Sequence, residues 1–370
     1  MQDNNQKSFD LILIFSVFVI SIVGISMVAS TSIPIAMNRF SEPYLYLFRH
    51  IMNFVISFVL MICVMMVPTQ KWRDYATTLC LVSFIVSLVV LIWGVKINGS
   101  RRWIPIMGHS IQISEIVKFS FLVYVADFLD RKRDDLYELK SILPLGLITF
   151  FVVTPILIEP DFGCVVVMMY TLFSLLWISN MPKKFFFAMC LTIIMLLSFI
   201  IILEPYRVVR LLSFLDPWGH RFDSGYQLTQ SIVAFIRGGL TGMGYGNSMT
   251  KLFYLPESHT DFLFSVLAEE WGSVGAIIML LIYTVIILRC IYHAAYRFNK
   301  DQLFESYIIF GWSQWVFIQV FINVGATTGL LPTKGLTLPF MSYGGSSLMT
   351  QFIMLGIVLR MIKSPVMERS

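Results

Sequence analysis

Long apolar runs, separated by short polar segments, recur along almost the whole chain. The first, Leu11 to Ser30, contains no charged residue, and about 20 apolar residues in a helix are enough to cross a bilayer. The expected fold is an all-α polytopic membrane protein with a large extracytoplasmic loop, about residues 204–261, between the seventh and eighth spans. The runs predict ten transmembrane helices, at about residues 11–31, 45–67, 76–95, 112–130, 142–158, 163–180, 184–203, 262–291, 304–330 and 343–362.

Composition leads to the same fold class. Hydrophobic residues make up 57% of the 370 residues and charged residues 13%, whereas soluble domains have about 45–50% and about 25%. This excludes a soluble protein and predicts one integral membrane domain over residues 1–370, surrounded by lipid, with no nucleic-acid partner. The five cysteines lie in or beside apolar runs without Cys-x-x-Cys spacing, which is typical of small core side chains.

Basic residues indicate the orientation of the chain. Cytoplasmic loops are enriched in Lys and Arg, and most of the 27 lie in cytoplasmic segments if both termini are cytoplasmic. Several arginines nevertheless lie in the extracytoplasmic segments. They are either solvated or headgroup-facing charges, or part of a site for an anionic ligand, since guanidinium groups match phosphate geometry. Candidates for such a site are Arg101, Arg102, Arg207 and Arg210.

Charges inside predicted spans are costly and are functional candidates by default. Glu115 and Lys118 are three residues apart, which places them on one helix face and within pairing distance. They form either a structural ion pair or part of a cavity that holds substrate. Glu269 and Glu270 need polar partners if they are buried, and the sequence does not indicate which residues these are.

Three irregular segments punctuate the extracytoplasmic side. "IEPDFG" (158–163) is a tight turn in which Asp161 either satisfies turn amides or faces a cavity. The glycines of "RGGLTGMGYGNS" (237–248) favour turns at the membrane surface, because neither a preceding strand nor a following Gly-Lys-Ser/Thr supports a nucleotide loop. "LPTKGLTLPFMSYGGSS" (331–347) is too rich in Pro and Gly for a continuous helix.

These motifs together carry a resemblance. "NGSRRWI", "SEIVKFS", "EPDFG", "DPWGHRFDSGYQLTQS", "YLPESHTDF", "AEEWG" and "LPTKGLTLPFMSYGGSS", in this order, resemble the SEDS family of bacterial cell-wall proteins, and its division branch more than its elongation branch. The resemblance implies a septal peptidoglycan glycosyltransferase that polymerises lipid II, using an undecaprenyl-diphosphate-linked glycan, at the outer face of the inner membrane. It also implies partnership with a class B penicillin-binding transpeptidase and other division proteins.

The family's motifs also imply site residues. Asp261 matches the essential carboxylate, Glu115 and Lys118 match the fourth-span pair, and Arg102, Asp161 and Ser342 lie in other characteristic motifs. No cofactor is certain, although a divalent cation is an alternative to arginines for stabilising the diphosphate. The complete substrate-binding set that we predict is Arg101, Arg102, Glu115, Lys118, Asp161, Arg207, Arg210, Lys334 and Ser342.

The chain departs from the family pattern at three positions. Phe253 replaces a glutamate in the segment before Asp261, Ile113 replaces a helix-starting proline, and Glu159 replaces a glutamine. This chain therefore lacks the acidic side chain that the family usually carries at position 253.

Asp261 suits general-base chemistry. A carboxylate can take the proton from the acceptor's 4-hydroxyl as this oxygen attacks the donor's anomeric carbon. The alternative is a helix N-cap, because "HTDFLF" is a reasonable helix start and Asp caps well. His259 is a second candidate base.

Other functions compete with polymerisation at the division site. A lipid II flippase needs charges that continue to the cytoplasmic side, whereas the charged motifs here lie near the outside, and a pure scaffold leaves the costly carboxylates unexplained. An elongation-type polymerase of the same family is a further alternative.

Overall fold

The computed structural model describes residues 9–97, 100–106, 109–179, 181–191, 195, 209 and 212–364. Its main helices pack side by side as a bundle, joined by short turns and one small sheet. The helices are α1 (Leu11–Phe40), α2 (Leu45–Met65), α3 (Thr69–Asp74), α4 (Ala76–Trp93), α5 (Ile113–Arg131), α6 (Leu139–Ile158), α7 (Phe162–Ile178), α8 (Tyr226–Gly238), α9 (Leu263–Asn299), α10 (Leu303–Thr328) and α11 (Gly345–Lys363).

The predicted spans correspond closely to these helices. Nine of the ten coincide with a described helix, and most of the remaining one, 184–203, lies outside the described residues. By length and composition, seven of the described helices can cross a membrane, and α7 is a shorter apolar helix. The all-α polytopic fold is confirmed.

Helix α5 lies at the centre of the bundle. It contacts α4, α6, α7, α10 and α11, and almost every residue from Ile113 to Asp130 is buried. A helix enclosed by protein can carry charged side chains that lipid would not tolerate, such as the buried Glu115 and Lys118 of α5.

The segment before α5 forms a small sheet, which the sequence analysis did not predict. We expected a loop, with the span beginning near residue 112. Instead, β1 (Val95–Ile97), β2 (Ser100–Ile106) and β3 (His109–Gln112) form an antiparallel sheet in the order β1-β2-β3, and Trp103 pairs with Gln112. The end of the bundle that carries this sheet, Asp161, Asp261 and residues 331–342 is called the sheet end below.

Ion pairs join the loops at the opposite end. Arg289 Nε lies 2.8 Å from Asp10 Oδ2 at the start of α1, and Arg73 Nη2 lies 2.7 Å from Asp130 Oδ2. Arg133 Nη1 lies 2.6 Å from Asp301 Oδ1. These loops are the ones that the basic-residue pattern placed together on one side of the membrane.

The predicted loop 204–261 contains more structure than expected. Its described part includes α8, whose buried residues face α9 and α10. Apolar residues recur along α8 at helical spacing, but the flanking glycines and polar residues favoured a surface loop in the sequence analysis.

Helix α9 is interrupted at Gly272, where φ is 70° and ψ is −176°, a conformation essentially restricted to glycine. The glycine-rich segment 239–244 docks into the break. Met243 N donates to Glu269 O at 2.9 Å, and Ser273 N donates to Gly239 O at 2.9 Å. The backbone N–H and C=O groups that lose their helical partners at the break therefore form hydrogen bonds with the 239–244 segment. Buried backbone polar groups are nearly always paired in this way.

The two glutamates before the break anchor the same segment. Glu269 accepts hydrogen bonds from the hydroxyls of Ser248 and Thr250, both at 2.5 Å, and its Oε1 lies 3.0 Å from Arg237 Nε. Glu270 pairs with Lys251 at 2.8 Å. These are the partners that the sequence could not identify, and they fix the loop that leads to Asp261.

Candidate active site

Asp261 lies just before α9 at the sheet end and is partly buried. The N-cap residue of α9 is Phe262, whose side chain makes no capping hydrogen bond. The alternative to a catalytic role, that Asp261 is the N-cap residue of α9, does not match this helix start, because Asp261 lies one residue before the N-cap. A Cβ atom at Gly335 would lie 2.8 Å from Asp261 Oδ2, so the loop after α10 passes close beside this carboxylate.

Asn323 of α10 holds the backbone around Asp261. Its Nδ2 donates to Asp261 O at 2.8 Å and to Leu336 O at 2.6 Å, and the side chain is buried. One amide thus ties the segment that carries Asp261 to the loop that contains Gly335. Sequence analysis missed Asn323, because a single asparagine in a span matches no motif.

The loop 331–342 contacts both the Asp261 region and the turn before α7. As predicted, this segment is irregular. Lys334 Nζ lies 4.3 Å from the centre of the Phe162 ring, and a Cβ atom at Gly163 would lie 3.0 Å from the Leu336 side chain. Lys334 is therefore placed between Asp261 and the Asp161 turn.

Asp161 has the first of the two roles that the sequence left open, since its carboxylate satisfies a backbone amide, and it also bonds to side chains of neighbouring elements. Its Oδ1 accepts from Cys164 N at 3.3 Å, which caps α7. Its Oδ2 accepts from Ser114 Oγ at 2.8 Å and from Gln112 Nε2 at 2.9 Å, and Arg102 Nη1 lies 3.5 Å from Oδ1. The buried carboxylate joins β2, β3, α5 and α7 at one point.

Glu159, in the same turn, has no such partners. The side chain is buried, and in the described part of the chain neither carboxylate oxygen has a hydrogen-bond partner. Burial raises the pKa of Glu159 to about 8; the nearby charge of Asp161 adds to this, and Arg102 opposes it. Below that pH, Glu159 is a neutral acid beside the negative charge of Asp161.

The predicted pairing of Glu115 with Lys118 is confirmed. Lys118 Nζ donates to Glu115 Oε1 at 2.7 Å, and both side chains are buried. Thr350 of α11 donates to the other oxygen at 3.3 Å, and Lys118 lies 4.9 Å from the Trp315 ring centre. The adjoining void measures only about 10 Å³, barely one water, so this void is too small for a sugar.

The other predicted substrate ligands have different positions. Arg101 is exposed, and its Nη1 donates to Ile92 O at 3.5 Å. Ser342 is buried, and its hydroxyl accepts a hydrogen bond from Leu338 N at 3.0 Å, which stabilises the loop 331–342. Arg207 and Arg210 lie outside the described residues.

His259 sits in an aromatic cluster two residues before Asp261. Its ring centre lies 5.5 Å from that of Tyr46 and 5.6 Å from that of Tyr343. Burial lowers the pKa of His259, the Glu257 charge opposes this change, and Arg39 reinforces it. The imidazole is therefore neutral near pH 7, and its enclosed Nδ1 has no hydrogen-bond partner in the described part of the chain.

The described part of the sheet end contains no cluster of metal-ligating side chains. Within the described ranges, no group of three or more His, Cys, Asp or Glu side chains is arranged to hold an ion.

The motifs that converge here are those of one family. A family model described as cell cycle protein, FTSW_RODA_SPOVE, matches residues 10–365. The chain belongs to this family.

Similar proteins have been curated in several bacteria. The chain is 43% identical to the probable peptidoglycan glycosyltransferase FtsW of Coxiella burnetii, over 95% of this chain and 96% of that protein. It is 39% identical to the protein of the same name in Hydrogenovibrio crunogenus, over 97% and 92% of the two chains. Both alignments run through the whole bundle.

Solved structures share the fold. A chain in a structure described as "Structural coordination of polymerization and crosslinking by a peptidoglycan synthase complex" is 26% identical, with a TM-score of 0.79 over 96% of this chain and 98% of that one. The rod shape determining protein RodA of Thermus thermophilus is 24% identical, with a TM-score of 0.71 over 97% and 98%. The second likeness concerns the fold alone.

Proposed function

We propose that this chain is a peptidoglycan glycosyltransferase that polymerises lipid II into glycan strands during septal cell division. The family match over residues 10–365 and the two relatives named as FtsW support this activity. We further propose that the sheet end faces outward from the inner membrane and that both termini are cytoplasmic. The clustering of the basic loops at the opposite end supports this orientation.

Asp261 acts as the general base in this proposal. The acceptor's 4-hydroxyl oxygen forms a bond to the donor's anomeric carbon, and its proton moves to the Asp261 carboxylate. The bond from that carbon to the diphosphate breaks, and undecaprenyl diphosphate leaves with the electron pair. A single displacement inverts configuration and needs no covalent enzyme intermediate. The observation that carries the assignment is that the Asp261 carboxylate is only partly buried and lies at the sheet end, beside the loop that contains Gly335.

Cationic side chains stabilise the leaving diphosphate. Lys334 and Arg102 are the described candidates, because both flank the turn at Asp161, and the loop containing Lys334 passes beside Asp261. Charge stabilisation by preorganised groups is commonly a large part of catalysis. Asn323 is a positioning residue, since it touches backbone only.

A crosslinking partner completes the proposal. The chain resembles a component of a peptidoglycan synthase complex that combines polymerization with crosslinking. We therefore propose a class B penicillin-binding transpeptidase as its partner, with other division proteins recruiting the pair to the septum.

A polymerisation assay tests the function. Full-length protein and its cognate transpeptidase, with the transpeptidase serine inactivated, would be supplied with lipid II in detergent, and products would be resolved on a gel. We expect glycan strands. A pure flippase or scaffold makes none, because detergent removes the need for transport, so absence of strands beside an active control polymerase would contradict the proposal.

A further inference from the structure

A cavity of about 490 Å³ lies at the sheet end, between the last turn of α1 and residues 251–259. Asn38 and Arg39 line one wall, and Phe253, Glu257 and His259 line the other. Sites for small molecules commonly measure about 300–1,000 Å³. The mechanism proposed above leaves this cavity unused, although only one residue separates His259 from Asp261 in the sequence.

The charges that line the cavity nearly balance. No ion pair joins the Arg39 guanidinium to the Glu257 carboxylate in the part of the chain that the structure describes, and Glu257 accepts a bond from Thr260 Oγ1 at 2.8 Å. Lys251 is buried, and its Nζ is already bonded to Glu270 at 2.8 Å and to Ser30 Oγ at 2.7 Å. Among the described residues that line the cavity, the Arg39 guanidinium can donate hydrogen bonds and the Glu257 carboxylate can accept them, which suits a sugar whose hydroxyls both donate and accept.

Two ring side chains add to this chemistry. His259 Nδ1 has no hydrogen-bond partner among the described residues, and a neutral imidazole nitrogen can donate to or accept from a hydroxyl. Phe253 is 58% exposed, so its ring offers an apolar surface on the cavity wall. An aromatic surface with a few convergent polar groups is a common form of ligand site. Phe253 is also one of the three positions where this chain departs from the family pattern.

Apolar side chains extend from the cavity along α1. Met37 is 57% exposed and Phe40 is 49% exposed, and they flank Asn38 and Arg39 in the sequence. A ligand with a polar head and a long apolar tail can therefore place its head in the cavity while its tail follows the helix into lipid. Two sources have this chemistry, a lipid-linked sugar and a phospholipid.

We propose that this cavity holds the sugar head of the acceptor lipid II and presents its hydroxyl to Asp261. The assignment rests on the proposed glycosyltransferase function. The donor develops negative charge on its leaving diphosphate and needs the cations near Asp161, whereas the acceptor sugar needs hydrogen bonds and an apolar surface. In this proposal the two substrates therefore bind at separate sites at the sheet end.

Kinetics of purified full-length variants test the proposal. Arg39→Ala and Phe253→Ala should each raise KM for lipid II by about tenfold, the equivalent of about 1.4 kcal/mol of binding, and change kcat little. Arg221→Ala is the matched control, because this arginine is exposed and packs on its neighbour Phe222. It should keep both constants. Unchanged KM in both cavity variants, with folding verified by thermal melting, would overturn the assignment.

Crosslinking separates the two possible ligands and does not depend on turnover. A photoreactive amino acid at position 38 should capture lipid II, and excess unlabelled lipid II should abolish the capture. Competition by phosphatidylethanolamine vesicles but not by lipid II would instead make this a phospholipid site. If wild-type protein polymerises but position 38 never captures lipid II, the acceptor assignment fails and the glycosyltransferase proposal stands. If wild type makes no strands, both fail.

Discussion

Two buried carboxylates at the sheet end differ in their hydrogen-bond partners. Asp161 accepts three hydrogen bonds and lies near Arg102, whereas Glu159, two residues earlier, has no hydrogen-bond partner in the described chain. A buried polar group without a partner costs about 1–3 kcal/mol. The family's glutamine at this position carries no charge, so Glu159 is a chain-specific source of instability.

Glu159→Gln should therefore stabilise the protein, and more so at higher pH. The folded protein keeps the Glu159 proton to about pH 8, whereas an unfolded chain releases it near the ordinary value of 4.5. The folded state thus holds more protons between these values, and wild-type stability falls as pH rises through this window. Thermal midpoints at pH 5 and pH 8.5 measure the effect. Glu138→Gln, at an exposed carboxylate, is the control; equal gains from Glu159→Gln at both pH values would contradict the account.

The Glu115–Lys118 pair should show strong coupling. Removing one partner of a buried ion pair costs about 3–5 kcal/mol, because the other charge is left uncompensated. Glu115→Gln and Lys118→Met should each lower the thermal midpoint sharply, and the double variant should lose less than their sum. A double-mutant cycle with no coupling energy would rule out the pairing.

At the scale of elements, some parts of the fold could be predicted and others could not. The apolar runs indicated the spans, and the three-residue spacing indicated the Glu115–Lys118 pair, because both signals are local. The sheet was missed because the hairpin signal Asn98-Gly99, which follows the alternating residues Val95-Lys96-Ile97, was not recognised in a segment between two spans. The partners of Glu269 and Asp261 were missed because Thr250 and Asn323 are 19 and 62 residues away.

The break in α9 should depend on Gly272. A Cβ atom there would collide with Leu240 O and Gly242 N, and its positive φ is strained for any other residue. Gly272→Ala should cost at least about 1–3 kcal/mol and release the 239–244 segment to protease. Gly146→Ala is the control, because no heavy atom lies within 4 Å of its added Cβ. Equal protease resistance of the two variants would exclude this role of the break.

At the scale of the whole molecule, the two ends have different chemistry. Ion pairs tie the basic loops together at one end, and the other gathers Asp161, Asp261, the sheet and the irregular loop. This polarity suits an enzyme whose substrate crosses the membrane before the reaction. It would not be expected of a flippase, whose charged path must reach both sides.

Single-cysteine labelling tests the orientation. In a background with the five native cysteines replaced, an impermeant thiol reagent should label Asp223→Cys in intact cells with a permeabilised outer membrane. Asp135→Cys should react only after the inner membrane is opened. Both side chains are exposed, so accessibility within the protein does not decide the result. Labelling of position 135 in intact cells would refute the ten-span orientation.

The most direct test of the central claim is strand synthesis by Asp261→Asn. Asparagine keeps the size of the side chain but is not an effective proton acceptor, so we expect normal insertion and normal partner binding. The fall in strand synthesis should be about 10²–10⁴-fold, the usual contribution of general acid–base catalysis. Asp223→Asn, in an exposed turn, should polymerise like wild type. Wild-type rates from Asp261→Asn would contradict the assignment of the base, and His259 would be the next residue to replace.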